Sequence, residues 1–329
     1  MEQLRLSAPG ELVLEPQPDR SPGPGEVVLE VTAAGICGSD LHGYRGVNAR
    51  RRPGTVMGHE VSGVVRVIGP DVSATWADQP VVVNPVLGCG ACPRCRSGRP
   101  QLCPDKALIG CLPEHPGGFA TMLRAPVTAL VAWSGPAPLT WGPLAEPLAV
   151  GIEAADRTPL DGREVLVLGS GPVAVSAAWA AQRRGAAVTV TETDPGRRDL
   201  LRALGLRTLP FGSEPRRVPD AVLDCVAVDD SLAYALDHVA PGGDVVVVGL
   251  GAAVAALPVE RLVQGAHGLL GSAQYTPARF ADAAAWAASG QLDLARLLGP
   301  PRPLAEGPAL FAQWDDDPAR PMRTLLVPG

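Results

Sequence analysis

The chain has almost no lysine. Lys106 is the only one in 329 residues, and arginine supplies the rest of the 28 basic side chains, against 34 acidic ones. The net charge is −6, and no basic run is long enough to form a face that binds nucleic acid. We therefore expect no nucleic-acid partner.

Aromatic residues make up only 4% of the chain, so alanine, valine and leucine must fill the interior. No apolar run approaches the roughly 20 residues that a membrane-spanning helix needs. The residues after Met1 look like strands and not like a secretory segment. Seven cysteines are an odd number, which excludes complete disulfide pairing and favours a reducing compartment. These absences predict a cytoplasmic protein without a membrane partner.

Length and patterning predict two domains. Up to residue 150, short runs of strand-forming residues are separated by glycine and proline, as in Val27–Thr32 and Val61–Val67. After Gly162, apolar strands alternate with helices, which is typical of a parallel sheet covered on both faces. The run Met322–Val327 predicts a strand that returns to the first domain. We assign residues 1–150 with 290–329 to a β-rich domain and 151–289 to an α/β domain.

Four cysteines fall within fifteen residues at the spacing C-x2-C-x2-C-x7-C; they are Cys89, Cys92, Cys95 and Cys103. Four thiolates at such spacings surround one tetrahedral Zn²⁺, and a site with four protein ligands is closed and therefore structural. Two disulfides or a redox pair are the alternatives, and a reducing compartment disfavours the disulfides. The spacing predicts a structural zinc lobe.

A G-x-G-x-x-A segment follows the first apolar strand of the α/β domain and opens a helix. Its residues are Gly169, Ser170, Gly171, Pro172, Val173 and Ala174. The first glycine permits a tight turn, and the second lets a pyrophosphate approach the backbone at the helix N-terminus. This pattern predicts a dinucleotide site.

Glu192 ends the next predicted strand, 21 residues beyond Gly171. An acid at that place holds the ribose 2′-hydroxyl and repels a 2′-phosphate, so NAD is favoured over NADP. Arg197 and Arg198 follow closely and weaken that preference. Asp194 is an alternative ribose acid, although its place before Pro195 and Gly196 favours a turn or helix cap.

Three further segments carry metal-ligating side chains: ICGSDLH from Ile36, MGHE from Met57 and AEP from Ala145. Cys37, His59 and a carboxylate together offer sulfur, nitrogen and oxygen ligands to a second zinc. With an open position left for water or substrate, such a site is catalytic. Each residue taken singly has a purely structural explanation, whereas the combination indicates a catalytic metal site.

These segments and GSGPVA resemble the zinc-dependent medium-chain alcohol and polyol dehydrogenases over essentially the whole chain, in particular the sorbitol, butanediol and threonine dehydrogenases. The resemblance implies an α/β fold with a doubly wound parallel Rossmann sheet and a β-rich, chaperonin-10-like barrel that carries the zinc lobe. It also implies two Zn²⁺ per chain, NAD, and a homodimer or homotetramer formed through the nucleotide domain.

The same resemblance assigns roles to individual residues. Cys37 and His59 would be ligands of the catalytic zinc, and Glu60 would be a ligand that joins or leaves as the coordination changes. Glu146 would be a further acidic ligand or a carboxylate bridged to the metal by water. Asp40 would orient His59. Ser39 and His42 would pass the substrate proton to solvent through the cofactor ribose.

The chain departs from the family pattern in three places. Ala77–Pro80 replaces the usual G-D-R-V turn, and Ala174 stands where glycine is common. The short loop from Gly46 to Thr55 carries Arg50, Arg51 and Arg52. These arginines either recognise an acidic substrate or lie in solvent, and we favour the solvated loop.

The resulting functional hypothesis is zinc-dependent hydride transfer between NAD and a secondary alcohol, such as a polyol, cyclitol, aminocyclitol or diol. The alternative enzyme is an NADPH-dependent ketone reductase of a biosynthetic pathway. Cys37, His59 and Glu60 together disfavour a metal-free quinone-reductase-like enzyme. Two other classes stay open: a non-catalytic, nucleotide-binding structural or regulatory protein and, less favoured, a zinc-ribbon module. Tyr44 and Tyr275 are candidate substrate-pocket residues.

Overall fold

The computed structural model describes residues 1–47, 51–314 and 321–329, so Arg50 of the arginine loop lies outside the described residues. The strands in chain order are β1 (Glu2–Ala8), β2 (Glu11–Pro16), β3 (Glu26–Gly35), β4 (Glu60–Ile68), β5 (Pro80–Val83), β6 (Val86–Leu87), β7 (Ala107–Leu108), β8 (Met122–Pro126), β9 (Leu130–Ala132), β10 (Glu164–Leu168), β11 (Ala187–Glu192), β12 (Arg207–Pro210), β13 (Ala221–Asp224), β14 (Asp244–Val247), β15 (Gly268–Gly271), β16 (Arg302–Pro303) and β17 (Leu325–Val327). The helices are α1 (Gly38–Tyr44), α2 (Pro93–Arg96), α3 (Ala145–Ala155), α4 (Pro172–Arg183), α5 (Pro195–Ala203), α6 (Asp229–His238), α7 (Val259–Gln264), α8 (Pro277–Ala288) and α9 (Gly307–Ala312).

The chain divides into two compact units, Met1–Glu146 with Thr276–Gly329, and Pro147–Tyr275. The sequence places the second boundary at residue 289 and so assigns α8 to the α/β domain, whereas the structure places α8 in the first unit. Ala137 N–H donates to the Ala288 carbonyl at 3.1 Å. Gly135 lies so close that a Cβ there would meet the same carbonyl oxygen at 2.1 Å. The end of α8 is therefore fixed by backbone contacts within the first unit.

The first unit is built on a seven-stranded sheet of order β16-β17-β3-β4-β5-β9, in which β8 also pairs with β3. The valine-rich runs predicted from the sequence lie in β3, β4 and β5, and alternate residues such as Leu29 and Val65 are buried in the core. β17 pairs antiparallel with β3, with Leu325 opposite Gly35, as the sequence predicts for the returning strand. β4 also pairs antiparallel with β3, which sets Glu60 opposite Gly35.

The second unit contains a parallel six-stranded sheet of order β12-β11-β10-β13-β14-β15. Numbered along the unit, this is the order 3-2-1-4-5-6 of the doubly wound dinucleotide-binding fold. The sequence predicts β10, β11, β13, β14 and β15 but misses β12 and α7. β12 is a partly exposed edge strand of four residues that ends in proline, so it carries little apolar signal.

A small two-stranded sheet, β6 with β7, flanks the cysteine-rich segment. Among the described residues, none of the helices combines the length and the apolar character that crossing a bilayer requires.

Candidate functional site

The structure gathers the four clustered cysteines around one point. The Sγ atoms of Cys89, Cys92, Cys95 and Cys103 all lie within 4.8 Å of one another. Backbone N–H groups also point at the sulfurs, with Cys92 N–H donating to Cys89 Sγ at 3.3 Å. Cys95 N–H donates to Cys92 Sγ at 3.4 Å. All seven cysteines of the chain lie in described residues, and they are free thiols, so the two-disulfide alternative is not formed. The donor set suits one tetrahedral zinc.

A second group of metal-ligating atoms forms where β3 and β4 end together. Cys37 follows β3 at the N-terminus of α1, His59 directly precedes β4, and Glu60 begins it. Their ligand atoms lie within 4.8 Å of one another. Gly35 makes room for this arrangement, because a Cβ there would meet Glu60 Oε2 at 2.3 Å. The antiparallel register thus brings together two motifs that lie more than twenty residues apart in the sequence.

Glu60 is an unusual buried acid. Its side chain is fully buried, and among the described residues its Oε2 receives no hydrogen bond. The Arg323 guanidinium lies 2.9 Å from Oε1 as an ion pair. Burial, with the nearby charge of Cys37, raises the pKa of Glu60 well above its ordinary value, although Arg323 opposes the shift. A carboxylate oxygen left without a hydrogen bond beside a thiol and an imidazole is what a metal site requires.

Charge balance points the same way. With His59 neutral, as a metal ligand must be, Cys37, Asp40, Glu60 and the half-buried Glu146 carry up to four negative charges, against two positive charges from Arg51 and Arg323. Burial alone raises the pKa of Cys37, but its hydrogen bond with His59 and the charge of Arg323 hold that pKa well below the ordinary value. A divalent cation neutralises the remaining charge, so the residues present fit a zinc ion.

Glu146 does not join the three clustered ligands, because their group of mutually close atoms comprises Cys37, His59 and Glu60 only. Glu146 lies near the start of α3 and still acts on the site electrostatically, since its charge contributes to the raised pKa of Glu60. Of the two predicted acidic ligands, the structure therefore places Glu60 with Cys37 and His59.

Asp40 is fully buried and orients both ligand-bearing segments. Its Oδ2 accepts a hydrogen bond from the Cys37 backbone N–H at 3.0 Å, and its Oδ1 lies 3.4 Å from His59 Nδ1. Burial alone raises the pKa of Asp40, but the charges of His59 and Arg51 outweigh it and bring that pKa down to about 2. Asp40 therefore stays ionised beside the imidazole, and its charge raises the pKa of His59 against the effect of burial.

The expectation of a solvated arginine loop is wrong for Arg51, whose residue surface is only 5% exposed. Its guanidinium bonds to Asp40 and Ser39 at the metal cluster. Arg52 does lie in solvent, where it pairs with Glu114. A run of three arginines carries no pattern that distinguishes the buried one, so the sequence alone does not reveal Arg51.

Arg323 is the other site residue that the sequence analysis misses. It is 3% exposed, and its Nη1 donates to the Ile36 carbonyl at 2.5 Å. Only the pairing of β17 with β3 brings this C-terminal arginine to Glu60, and a single arginine before a strand gives no sequence signal.

The predicted proton-relay residues lie on α1. Ser39 and His42 are both half-buried, and Ser39 Oγ accepts a hydrogen bond from Arg51 at 3.0 Å. The two candidate pocket tyrosines are packed against the protein: Tyr275 is fully buried, and the Tyr44 ring lies 5.4 Å from that of Phe311. The structure thus gives the tyrosines packing roles.

In the second unit, the glycine-rich segment joins β10 to α4. Gly169 has φ +96°, a conformation that favours glycine, and Gly171 precedes α4 with no atom within 4 Å of where its Cβ would lie. Pro172 and Val173 form the first turn of α4, whose N-terminal N–H groups are free for an anion. The turn therefore leaves open backbone at a helix N-terminus beside the carboxyl end of β10.

Glu192 ends β11 next to this turn. Burial tends to raise its pKa, but hydrogen bonds, led by the one from Asp194 N–H at 2.8 Å, lower it below the ordinary value. Asp194 accepts from Arg197 N–H at 2.7 Å, which confirms its role as the cap of α5. Arg197 Nη1 reaches Ser170 Oγ at 3.5 Å, and Arg198 donates to the Glu192 carbonyl at 2.8 Å. An ionised acid and two arginines thus flank the glycine turn.

Comparison with known proteins shows which family this chain resembles. Residues 23–135 match the family model of the alcohol dehydrogenase GroES-like domain, and residues 172–289 match that of the zinc-binding dehydrogenase domain. The chain is 31% identical to the 2-dehydro-3-deoxy-L-galactonate 5-dehydrogenase of Pseudoalteromonas atlantica, covering 91% of this chain and 90% of that protein. It is 30% identical to the L-galactonate-5-dehydrogenase of Escherichia coli, covering 89% and 88%.

A solved structure has the same fold. The L-idonate 5-dehydrogenase of Escherichia coli superposes with a TM-score of 0.88 at 26% sequence identity, covering 99% of this chain and 97% of that one. The similarity therefore extends over both units and is not limited to the metal-binding segments.

Proposed function

Since the chain belongs to the zinc-dependent medium-chain alcohol and polyol dehydrogenases, we propose that it oxidises a secondary alcohol of a polyhydroxylated acid or polyol, with NAD as the hydride acceptor. The family makes it an NAD(P)-dependent oxidoreductase. The observation that carries the proposal is the group of Cys37, His59 and Glu60, whose sulfur, nitrogen and carboxylate oxygen atoms lie within 4.8 Å of one another.

Cys37, His59 and Glu60 would hold the catalytic zinc. When bound, the metal supplies a Lewis acid that polarises the substrate oxygen. Asp40 keeps the His59 ring in place and stays ionised, so the imidazole presents its other nitrogen to the ligand group. Arg323 neutralises part of the charge on Glu60, which makes a buried carboxylate tolerable.

Ser39 is the proposed acceptor of the alcohol proton. Its hydroxyl lies two residues beyond Cys37 on α1 and is half-buried, so it can contact both a substrate and the protein. His42, one turn further along the same helix, is the proposed next group in the relay. Proton removal by a positioned hydroxyl leaves the carbinol carbon ready to give up its hydride.

Glu192 supports NAD over NADP. Its lowered pKa keeps the carboxylate ionised at the end of β11, where it would accept hydrogen bonds from the ribose hydroxyls and repel a 2′-phosphate. Arg197 is held towards Ser170 and Arg198 towards backbone carbonyls, so both guanidinium groups already have partners. We therefore place the NADPH-dependent ketone reductase second.

The substrate class follows from the ligands and the relatives. One thiolate combined with a carboxylate is the ligand set by which the chain resembles polyol-oxidising members of the family. The relatives named above act, by their names, on the 5-position of galactonate-type acids and L-idonate. We propose a polyhydroxylated acid first and a neutral polyol, cyclitol or diol second.

A homodimer or homotetramer is proposed through the second unit. β15 is an edge strand with Leu269 40% exposed, and Val259 and Val263 on α7 are 59% and 69% exposed. An unpaired strand edge next to exposed apolar side chains is a surface that a second copy can cover. The seven free thiols suit a reducing, cytoplasmic setting.

Zinc content and turnover test the proposal together. Purified wild type should hold two zincs per chain, and Cys37→Ser should hold one. Wild type should reduce NAD with L-galactonate, L-idonate, sorbitol or butane-2,3-diol at a higher kcat/KM than it reduces NADP. One zinc in both proteins, with no turnover on this panel, contradicts the proposal and favours a non-catalytic nucleotide-binding protein.

A further inference from the structure

Arg51 is a buried cation, and its polar contacts with the described residues lead to the metal cluster. Its Nε donates to Asp40 Oδ1 at 3.1 Å, and its Nη2 lies 3.0 Å from the same oxygen. The same Nη2 donates to Ser39 Oγ at 3.0 Å and lies 3.2 Å from His59 Nδ1. One guanidinium therefore touches the carboxylate that orients His59, the ring itself and the proposed proton acceptor.

The fold provides a seat for this side chain. Gly43 lies on α1 against the aliphatic part of Arg51, and a Cβ there would meet Arg51 Cδ at 2.3 Å and Cβ at 2.7 Å. Glycine is unfavourable inside a helix compared with alanine. Its presence at this position is explained by the close approach of Arg51, which no larger residue permits.

The chemistry of the guanidinium fixes the direction of each bond. Arginine has five N–H donors and no acceptor, so Asp40 and Ser39 must both accept from it. Ser39 then has one lone pair occupied, and its own hydrogen must point to a different acceptor. Asp40, held by Arg51 on one oxygen and by the Cys37 backbone on the other, cannot rotate away from His59.

We propose that Arg51, for which Gly43 leaves space, is a positioning residue. It holds the Asp40 carboxylate in the orientation that contacts His59, and it fixes the direction in which the Ser39 hydroxyl donates. In this role Arg51 contacts neither substrate nor metal; it acts on His59 through Asp40, and on the substrate proton through Ser39. The proposal rests on the proposed function, because it assumes that His59 holds a metal and that Ser39 accepts a proton.

Zinc affinity at the second site tests the link to His59 without any need for turnover. The variants are Arg51→Met and, as a matched control, Arg52→Met, which removes the neighbouring exposed arginine. Chelator competition on the purified proteins should show a ten- to hundredfold weaker second zinc in Arg51→Met and no change in Arg52→Met. The zinc held by Cys89, Cys92, Cys95 and Cys103 should stay bound in both and serves as an internal control for folding.

Two further variants separate positioning from the loss of a buried charge. Gly43→Ala keeps the guanidinium but displaces it, so it should also weaken the second zinc, although alanine favours the helix. Arg51→Lys keeps the charge but not the fork of donors and should recover only part of the affinity. Cobalt substitution should show an altered visible spectrum of the second site in Arg51→Met and Gly43→Ala, and not in Arg52→Met.

A double-mutant cycle tests the link to Ser39. With the panel alcohol that wild type oxidises best, zinc-saturated Arg51→Met and Ser39→Ala are compared with the double variant. If Arg51 acts through Ser39, the double variant loses clearly less kcat than the product of the two single losses. Losses that simply multiply overturn this part of the proposal.

The outcomes distinguish a failure of the proposed function from a failure of the proposed role of Arg51. A wild type with one zinc, equal to Cys37→Ser, overturns the proposed function and with it the role of Arg51. A wild type with two zincs, whose Arg51→Met and Gly43→Ala variants keep second-site affinity within about twofold, overturns the role of Arg51 alone. If Arg51→Met loses both zincs, Gly43→Ala decides, since it removes no polar side chain.

Discussion

The two groups of metal-ligating residues are built in different ways. The cysteine lobe takes all of its ligands from fifteen consecutive residues, and Cys89 in it is exposed. The group of Cys37, His59 and Glu60 takes its ligands from the ends of β3 and β4 and depends on Arg323, far along the chain, for charge balance. The first group requires only a loop that closes on an ion, whereas the second requires the sheet.

This difference separates the expected consequences of losing each group. A site made within one segment stabilises that segment, because ion binding replaces the packing that a short loop cannot provide. A buried site made by a sheet is already held by strand pairing, so its residues are free to serve chemistry. Damage to the lobe should therefore appear in stability, and damage to the buried group should appear in turnover.

The largest effect is expected for His59→Ala. Loss of the imidazole removes a proposed metal ligand, and with it the Lewis acid that would contribute several kcal/mol to the reaction. We expect kcat/KM to fall about a thousandfold or more, equivalent to about 4 kcal/mol. Steady-state kinetics with metal analysis checks this, with His238→Ala in the second unit as the control. A variant that keeps two zincs and full turnover contradicts the assignment.

Cys103→Ser should lower the stability of the protein and leave its turnover largely unchanged. Cys103 is 3% exposed and is the most buried of the lobe cysteines, so its loss should release the lobe zinc. We expect unfolding to become easier by on the order of 3 kcal/mol, which lowers the midpoint of thermal unfolding by about 6–12 °C. Calorimetry and kinetics at 20 °C below that midpoint give the comparison. A large loss of kcat at unchanged stability would show that the lobe serves the chemistry.

The same contrast explains what the sequence predicts well. Spacing within a segment identifies the cysteine lobe, the Gly169–Ala174 turn and the apolar strands β10, β13 and β14, since each is defined by neighbouring residues. Glu192 is also found by spacing, because one helix and one strand separate it from the turn by a nearly constant length.

Side-chain contacts that depend on long-range pairing are not predicted. Arg323 reaches Glu60 only through the β17–β3 ladder, and Arg51 is buried only because Gly43 leaves room for it. The grouping of α8 with the first unit has the same origin, since the contact of Ala288 with Ala137 links residues far apart in sequence. Local patterns identify the ligands, whereas the charged residues that support the ligands appear only in the fold.

Glu192→Gln tests whether the acid at the end of β11 sets the preference for NAD over NADP. The amide keeps an oxygen for Asp194 N–H but loses the charge that would bind the ribose hydroxyls and repel a 2′-phosphate. We expect the preference for NAD over NADP to fall about tenfold, or about 1.4 kcal/mol. Ratios of kcat/KM for the two cofactors measure it. Glu214→Gln, an exposed acid in the same unit, is the control, and an unchanged ratio contradicts the role of Glu192.

The smallest effect on stability or activity is expected for Asp194, whose capping role depends only on neighbouring residues. Its carboxylate accepts from Arg197 N–H and caps α5, so Asp194→Ala should cost about 1 kcal/mol and lower the midpoint of thermal unfolding by about 2–4 °C. Asp194→Ser restores an N-cap acceptor without a charge and should recover that stability. NADH affinity, measured by fluorescence titration, should stay unchanged in both variants if Glu192 alone holds the ribose. If Asp194→Ser keeps its stability but binds NADH tenfold more weakly, Asp194 is a ribose ligand. The ribose site would then consist of both Asp194 and Glu192.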